Sequence, residues 1–239
     1  MIRRGLIVGL LVIIAVPLMY AMSELPPHGS ADSPAYTHVS PRYLEQGAEE
    51  AGAENIVTDI ILNYRGFDTQ GEVTVIFTAM AAVLAVLLGA GGPHGTEPTP
   101  PGRVAPSVVV RFIVRVLAPF IATFAIYVIL NGHVTPGGGF QGGTILGALV
   151  IALTLVLDTD QSERLLPRRP ERLLQAAAPL VFMAVGITGL AAFGSYLTYP
   201  GAAALAWLRT ALLLAVEIGI GIGGAMVLAT IFRTMGGEP

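Results

Sequence analysis

Glu217 is the acidic residue that stands deepest inside an apolar run of this chain, in the stretch AVEIGIGIG (215–223). A carboxylate at the centre of a membrane helix costs about 2.5–3.5 kcal/mol unless it is neutralised or faces the interior of a helix bundle. Two roles suit such a group, and the residue types support them about equally. It exchanges a proton or a cation along a helix interface, or it stays protonated and joins two helices by a hydrogen bond. Gly221 and Gly224 share its helical face, which predicts close access for a neighbouring helix or for water.

A second group that could carry protons, His133, lies in NGHVTPGGGFQGG (131–143), a stretch with six glycines between two apolar runs. Its imidazole titrates near neutral pH and could relay protons. A loop histidine that hydrogen-bonds a carbonyl group is the simpler interpretation, and we favour it. The glycines and the proline predict a tight or re-entrant turn at which helices approach at backbone distance. The predicted interface motif comprises Pro136, Gly137, Gly138, Gly139, Phe140, Gln141, Gly142 and Gly143.

A third candidate is the ionisable cluster of Arg65, Asp68 and Glu72, which stands at the mouth of an apolar run. The simplest interpretation is a solvated helix entrance with acids near the helix N-terminus. The alternative is a partly buried ion-pair network that faces other subunits and belongs to an ion path. Just before it, apolar residues in IVTDII (56–61) fall at helical spacing and predict a short amphipathic helix in the outer membrane interface.

The composition excludes several kinds of chemistry. The 239 residues include no cysteine and no lysine, so the chain cannot form a disulfide, a thiolate metal site, a Schiff base or a Walker-type phosphate loop. No basic cluster suggests nucleic acid as a partner. We therefore expect no cofactor and no metal in this chain.

The elements that must position these residues are membrane helices. Of the residues 54% are hydrophobic and 12% are charged, whereas about a quarter are charged in soluble proteins. The fold class is therefore all-α and polytopic, with about six spans of sufficient length. The first could be a secretory signal peptide, but its long apolar run and poor cleavage site favour a retained span. The six windows are Gly5–Met22, Val73–Ala90, Phe112–Leu130, Gly139–Leu157, Leu173–Phe193 and Ala211–Phe232.

The arginines orient these spans, because cytoplasmic loops hold an excess of positive charge. Six spans place ten arginines on one side and only Arg42, Arg65 and Arg209 on the other. Both termini are then cytoplasmic, and the turn at 131–143 lies on the outer side. The ten are Arg3, Arg4, Arg103, Arg111, Arg115, Arg164, Arg168, Arg169, Arg172 and Arg233.

A stretch rich in proline and glycine divides the spans. Residues 93–107 cannot propagate a helix and are typical of a linker. We expect a two-span unit at 1–92, with an outer loop at 23–72, and a four-span unit at 108–239.

Two stretches resemble known membrane proteins. RGFDTQGEVTV (65–75) is similar to the carboxy-terminal segment of MrpA, the large protein of the multisubunit Mrp sodium/proton antiporters, and to MbhE, a small protein of the related membrane-bound hydrogenases. NGHVTPGGGFQGG resembles the signature of the MnhB/MrpB family of antiporter subunits, whose hydrogenase counterpart is the F-type subunit. Similar stretches follow in the same order: LDTDQSERLLP (157–167), GITGLAAFGSYL (186–197) and AVEIGIGIG. The fusion of both segments in one chain departs from the antiporter pattern.

The resemblance implies a non-catalytic membrane subunit of a multisubunit cation/proton-translocating complex of the Mrp type, which shapes subunit interfaces and lines an ion path. Its partners would be the lipid bilayer, H+, Na+ and membrane subunits like A, C, D, F and G, in a prokaryotic cell membrane. The alternative host is a respiratory complex related to complex I, such as a membrane-bound hydrogenase. The family also has an acid near the position of Glu217, which favours an ion-path role for that residue.

A protein that works alone is the remaining class of function. An intramembrane hydrolase needs a nucleophile and a base within its spans, but Ser195 lies near a span end and no histidine lies in an apolar window. A self-sufficient transporter would show broken helices in matching halves of the chain, and we find no internal repeat. We therefore expect neither.

Overall fold

The computed structural model of the protein describes residues 2–89, 106–157, 168–201 and 203–235. Within these ranges the chain is helical and contains no strand. Six of the described helices are long and apolar enough to cross a membrane, which confirms the predicted all-α polytopic fold. In chain order the helices are α1 (Ile2–Ser23), α2 (Ser40–Glu50), α3 (Ile56–Thr58), α4 (Gly66–Gly89), α5 (Val108–Leu130), α6 (Gly139–Val156), α7 (Arg168–Phe193) and α8 (Ala206–Met235).

Shorter helical turns connect some of these helices. A π-helical turn at Ala35–Val39 precedes α2, and a second at Asp59–Tyr64 continues α3. A 3₁₀ turn at Ala203–Leu205 leads into α8.

Several helices extend beyond their predicted apolar windows. The helix α4 begins at Gly66 rather than Val73, α7 begins at Arg168 rather than Leu173, and α8 begins at Ala206 rather than Ala211. Hydropathy locates the part of a helix that lies in hydrocarbon, whereas the backbone hydrogen bonds continue into the hydrated interface. The polar first turns therefore belong to the helices although they lie outside the apolar windows.

The chain forms two compact units, residues 1–45 and 46–239. In the first unit, α1 is apolar between Gly5 and Met22 and its described side chains are exposed, as expected of a helix surrounded by lipid. The predicted linker at 93–107 lies outside the described residues except for 106 and 107. The division into a two-span and a four-span unit stays a prediction.

In the second unit α8 is the central helix, and it packs against α4, α5, α6 and α7. Small residues bring its backbone close to that of α6. A Cβ atom on Gly143 would lie 2.9 Å from the Cα of Gly221, and one on Gly147 would lie 3.2 Å from the Cα of Ala225. Two faces with small residues four positions apart therefore meet, which is the close packing expected of such residues in membrane helices.

Candidate functional site

Glu217 lies in the middle of the second unit, on α8, with only 2% of its surface exposed. It is eleven residues beyond Ala206, and therefore about 16 Å along the helix axis. The buried residues Val216 and Ile220 flank it in the apolar core. Its side chain therefore reaches neither lipid nor bulk water, and the groups around it must come from other helices.

The glycine turn between α5 and α6 supplies those groups. The backbone N–H of Gly139, the first residue of α6, donates a hydrogen bond to Oε2 of Glu217. This N–H is one of the four at a helix N-terminus that have no partner within the helix. The carboxylate also meets the positive end of the α6 dipole, which stabilises a negative charge.

Glycines are required here because the carboxylate occupies the space that a side chain would need. A Cβ atom on Gly138 would lie 2.7 Å from Oε2 of Glu217, and one on Gly132 would lie 3.0 Å from Oε1. Gly138 also has φ of 142°, a conformation that favours glycine. The turn at 131–138 is therefore shaped around Glu217.

The two oxygens of the Glu217 carboxylate differ in their hydrogen bonding. Oε1 of Glu217 is buried and takes part in no hydrogen bond within the part of the chain that the structure describes. Buried carboxylate oxygens are nearly always hydrogen-bonded. One oxygen is thus fixed by Gly139, while the second is left to accept a proton or to contact a cation.

A polar clamp from the preceding segment holds the glycine turn in place. The side-chain amide of Asn55 donates hydrogen bonds to the carbonyl oxygens of Gly132 at 2.8 Å and Thr135 at 2.9 Å. The hydroxyl of Thr58 donates to the same Gly132 oxygen at 2.5 Å. Asn55 is 8% exposed and Thr58 is fully buried. We call these two residues the Asn55–Thr58 clamp.

The backbone adds to the clamp. The carbonyl oxygen of His133 accepts hydrogen bonds from the N–H groups of Glu54 and Asn55, both at 3.1 Å. The turn thus satisfies its inner carbonyl groups without water, which irregular backbone at membrane depth requires.

The predicted amphipathic helix at 56–61 is present in altered form. It is one turn of α-helix followed by the π-helical turn, and its buried face holds the polar residues Thr58 and Asp59, while Val57 is 48% exposed. Both polar residues face inward because their partners are there: the hydroxyl of Thr58 donates to the carbonyl oxygen of Gly132, and Asp59 accepts from the N–H of Ala53. Sequence reasoning missed Asn55 and Thr58, and the available signal was a helix-capping asparagine followed by a threonine in an otherwise apolar run.

A second anchor attaches this segment to α8. Oδ1 of the buried Asp59 accepts a hydrogen bond from the N–H of Ala53 at 2.9 Å. Burial raises the pKa of Asp59, while the Ala53 hydrogen bond and the positive charge of Arg209 act in the opposite direction. The Arg209 side chain lies directly against Gly52 and occupies the space that a Cβ there would need. The clamp segment is therefore held both to the turn and to the first part of α8.

The predicted cluster at the start of α4 is not part of the Glu217 site. Nε of Arg65 lies 2.7 Å from Oδ2 of Asp68, and the two side chains are 61% and 55% exposed. Glu72 is exposed as well. This geometry matches the solvated helix entrance, and an exposed pair of this kind contributes about 1 kcal/mol or less. An ion-path role for these three residues stays a prediction.

The other predicted residues have distinct positions. His133 lies on the turn, and its Nδ1 is buried with no hydrogen-bond partner among the residues described, so the carbonyl bond expected of it is not seen at that atom. Gly142 and Gly143 are buried against α5 and α8, where a Cβ on Gly142 would lie 2.8 Å from the carbonyl oxygen of Ala125. Phe140 packs on the core, whereas Pro136 and Gln141 are exposed.

The two glycines that were predicted to share the helical face of Glu217 have different surroundings. Gly221 lies against α5 and α6, because a Cβ there would be 2.7 Å from Cδ1 of Ile129 and 3.4 Å from the carbonyl oxygen of Gly139. Gly224 has open space beside it. The residues that the structure describes contain no group of three or more histidine or acidic side chains arranged to hold a metal ion.

Comparisons with known proteins match both parts of the chain. Residues 109–229 match the family model described as a domain related to the MnhB subunit of Na+/H+ antiporters, and residues 10–91 match the MbhE model, which describes the E-type subunit of MBH. A probable K(+)/H(+) antiporter protein of Rhizobium meliloti, of the combined A/B type, is 31% identical over an aligned length of 120, and the match covers 42% of this chain and 12% of that protein. This chain thus spans about one eighth of that relative.

Two solved structures are similar over nearly the whole chain. One is a chain of the membrane-bound sulfane sulfur reductase, an archaeal respiratory membrane complex, with a TM-score of 0.64 and 30% identity over 98% of both chains. The other is a chain of the Mrp complex from Dietzia sp., with a TM-score of 0.69 and 25% identity over 99% of this chain and 26% of that one. The resemblance drawn from the two motifs is confirmed.

Proposed function

This chain belongs to the family of domains related to the MnhB subunit of Na+/H+ antiporters, and we propose from that premise that it is a non-catalytic membrane subunit of a multisubunit complex that moves cations and protons. Its partners in this proposal are membrane subunits like A, C, D, F and G of an Mrp-type assembly. The ions are H+ and Na+. The complex lies in a prokaryotic cell membrane, with both termini of this chain in the cytoplasm.

The observation that carries the proposal is the environment of Glu217. A buried carboxylate with one oxygen fixed by a helix N-terminus and the other without a hydrogen bond in the described ranges can hold a proton or release it. Gly139 and the α6 dipole support the ionised form, whereas the apolar surroundings support the neutral form. We propose that Glu217 exchanges a proton or a sodium ion at the interface between α6 and α8.

A respiratory complex is the second candidate host, and one observation favours it. The similarity to the chain of the archaeal respiratory complex extends along 98% of both chains, whereas only 26% of the matched chain of the Mrp complex is covered. In such a host the driving force would be a redox reaction in another subunit. The role proposed for Glu217 is the same in both hosts.

Assembly is the first test of this proposal. The tagged chain is expressed with its neighbouring genes and purified in mild detergent, and we expect other multispan subunits to copurify in constant ratio. Neighbouring genes for a hydrogenase-like large subunit would identify a redox host, and antiporter genes alone would identify an Mrp-type host. A chain that exchanges ions by itself in liposomes would refute the proposal.

A further inference from the structure

A cleft of about 470 Å³ opens on the surface of the second unit, and the residues proposed for the ion path do not line it. Its walls come from the end of α2, the turn at 59–64, the start of α4 and the segment that connects α7 to α8. Sites for small molecules have volumes of about 300–1,000 Å³. The cleft is therefore large enough to hold a ligand of its own.

Aromatic side chains and one carboxylate dominate the wall of this cleft. The aromatic residues are Tyr64, Phe67, Tyr196 and Tyr199, and Glu50 supplies the charge of the described wall. The hydroxyl of Tyr64 donates a hydrogen bond to Oε2 of Glu50 at 2.5 Å, which fixes the carboxylate beside an aromatic ring. Groups of aromatic rings are the usual recognition device for organic ammonium ions, because the ring faces attract positive charge. The residue types of the wall therefore favour an ammonium group as the ligand.

The inner part of the wall is built before any ligand arrives. Tyr199 is 6% exposed and belongs to the buried core of the unit. Leu197 adopts a left-handed conformation with φ of 58°, and its N–H donates to the carbonyl oxygen of Gly186 at 3.3 Å. Thr198 lies so close to α7 that a Cβ on Gly189 would be 2.7 Å from its nitrogen. Binding at a wall that is already ordered costs less conformational entropy.

The cleft lies at the level where two membrane spans end. Gly66 and Phe67 are wall residues that begin the span Gly66–Leu87, and Tyr196 follows the end of the span Leu173–Phe193 by three residues. A bilayer presents its lipid headgroups at this level, where tyrosines are enriched in membrane proteins. The source of ammonium groups next to the cleft is therefore the bilayer.

An exposed face of α4 leads from the cleft toward the hydrocarbon. Phe67, Gly71 and Val75 are spaced four residues apart, so they share this face. The side chains of Phe67 and Val75 are 76% and 67% exposed, and a Cβ on Gly71 would meet no atom within 4 Å. A gap is thus left between two apolar side chains, wide enough for an acyl chain to pass. We call it the Gly71 gap.

We propose that the cleft binds the headgroup of a phospholipid that carries an ammonium group, while one of its acyl chains lies in the Gly71 gap. The ammonium group lies among the aromatic rings beside Glu50. The phosphate accepts hydrogen bonds from the side chains of Asn63 and Thr198, which are the neutral polar donors of the wall besides the tyrosines. This lipid site is separate from the ion exchange proposed for Glu217.

Photocrosslinking in the intact complex tests the site. The complex is reconstituted in phosphatidylglycerol vesicles with a trace of phosphatidylethanolamine that carries a photoreactive group in one acyl chain, and cross-linked peptides are identified by mass spectrometry. We expect cross-links within residues 66–75, about ten-fold more than from a phosphatidylglycerol probe with the same photoreactive chain. Equal labelling by the two probes would show that the cleft does not select an ammonium group. No labelling by either would show that this face is covered by something other than lipid, and both results would overturn the proposal.

Two variants separate the charge from the rings. Glu50→Gln keeps an oxygen for the Tyr64 hydrogen bond but removes the charge, and Phe67→Leu keeps an apolar side chain but removes the ring. We expect each to lower the preference for phosphatidylethanolamine by about two- to five-fold. Glu49→Gln is the matched control, because Glu49 is exposed on α2 outside the cleft wall and should leave the preference unchanged. An assembled Glu50→Gln complex with the wild-type preference would contradict the site.

Free phosphoethanolamine distinguishes a lipid from a soluble amine. It carries the same charged groups but no acyl chain for the Gly71 gap, so we expect millimolar concentrations of it to leave the labelling of residues 66–75 unchanged. Displacement of the lipid probe would assign the cleft to a soluble organic cation and overturn the lipid site. The Glu217→Gln complex should be labelled like the wild type. Normal transport in that complex would remove the proposed function and leave the lipid site standing.

Discussion

The N–H of Gly139 at the start of α6 hydrogen-bonds the buried carboxylate of Glu217 on α8, across 78 residues of sequence. Because of this bond, the glycine turn and Glu217 form a single site. A substitution in the glycine turn should therefore alter the environment of Glu217, and a substitution of Glu217 should alter the turn.

Glu217→Gln separates the charge of this site from its shape. The glutamine oxygen can still accept the Gly139 hydrogen bond, so we expect normal assembly, but an amide cannot ionise and sodium-dependent proton movement should fall by about ten-fold or more. Everted vesicles with sodium or potassium pulses measure this. Glu49→Gln, at an exposed position of α2, is the control and should transport normally. Unchanged transport in an assembled complex that carries Glu217→Gln would assign this residue to helix packing alone.

Gly138→Ala tests the shape of the turn. The added methyl group would overlap Oε2 of Glu217, and alanine is strained at φ of 142°, so we expect a loss of about 1–3 kcal/mol in stability. The thermal unfolding midpoint of the purified complex measures it. Gly224→Ala is the control, because open space surrounds that glycine and alanine favours the helix by up to about 1 kcal/mol. Equal midpoints for the two variants would contradict the geometry of the turn.

Asn55→Ala tests the Asn55–Thr58 clamp. The substitution removes the hydrogen bonds that the Asn55 side-chain amide donates to the carbonyl oxygens of Thr135 and Gly132. We expect this to lower the free energy of unfolding by about 1–3 kcal/mol. Because the turn positions Gly139, transport per assembled complex should fall as well. The half-exposed Val57 offers the control Val57→Ala, which we expect to change both quantities little. If Asn55→Ala behaves like Val57→Ala, the clamp does not position the turn.

Asp59 predicts a specific pH dependence of stability. Burial holds its pKa above the unfolded value of about 3.9, so the stability it contributes is fully present below that pH and is lost as the pH rises through the folded-state pKa. Asp59→Asn removes this titration and leaves an oxygen that can accept the Ala53 hydrogen bond. We therefore expect the wild type to lose stability relative to the Asp59→Asn variant as the pH rises from about 4 to about 8. Unfolding midpoints measured across that range check the sign, and the opposite trend would show that the charge of Arg209 outweighs burial.

The orientation of the chain can be tested with single cysteines. Ser195 is exposed between α7 and α8, on the side that the arginine count makes external. Ser195→Cys should react with an impermeant thiol reagent in intact cells, whereas Ser162→Cys should react only after the membrane is permeabilised. The reverse pattern would place both termini outside.

The sequence was sufficient to predict the helices and insufficient to predict their polar contacts. Apolar windows located six helices because hydrocarbon requires about 20 apolar residues for each crossing. They misplaced the starts of α4 and α8, since Gly66–Glu72 and Ala206–Thr210 are helical without being apolar throughout. Glu217 was recognisable because a carboxylate in an apolar run needs a partner. Its partner, Gly139, could not be identified, because a backbone N–H has no signature in the sequence.

The clamp was missed for the same reason. Asn55 resembles an ordinary helix cap, and Thr58 resembles the polar side of a surface helix, until the carbonyl groups of Gly132 and Thr135 are placed beside them. Local patterns specify which residues can form a helix, but only the packed fold specifies which carbonyl groups lack a donor.

The clamp and the turn it holds belong to one polypeptide. Joining two interacting segments by a chain gives them an effective concentration of the order of millimolar, so their association does not depend on how much of a separate partner the cell makes. Each ribosome that completes this chain thereby produces the turn and its clamp in a one-to-one ratio. Subunit exchange during repair or turnover of the complex cannot separate the two.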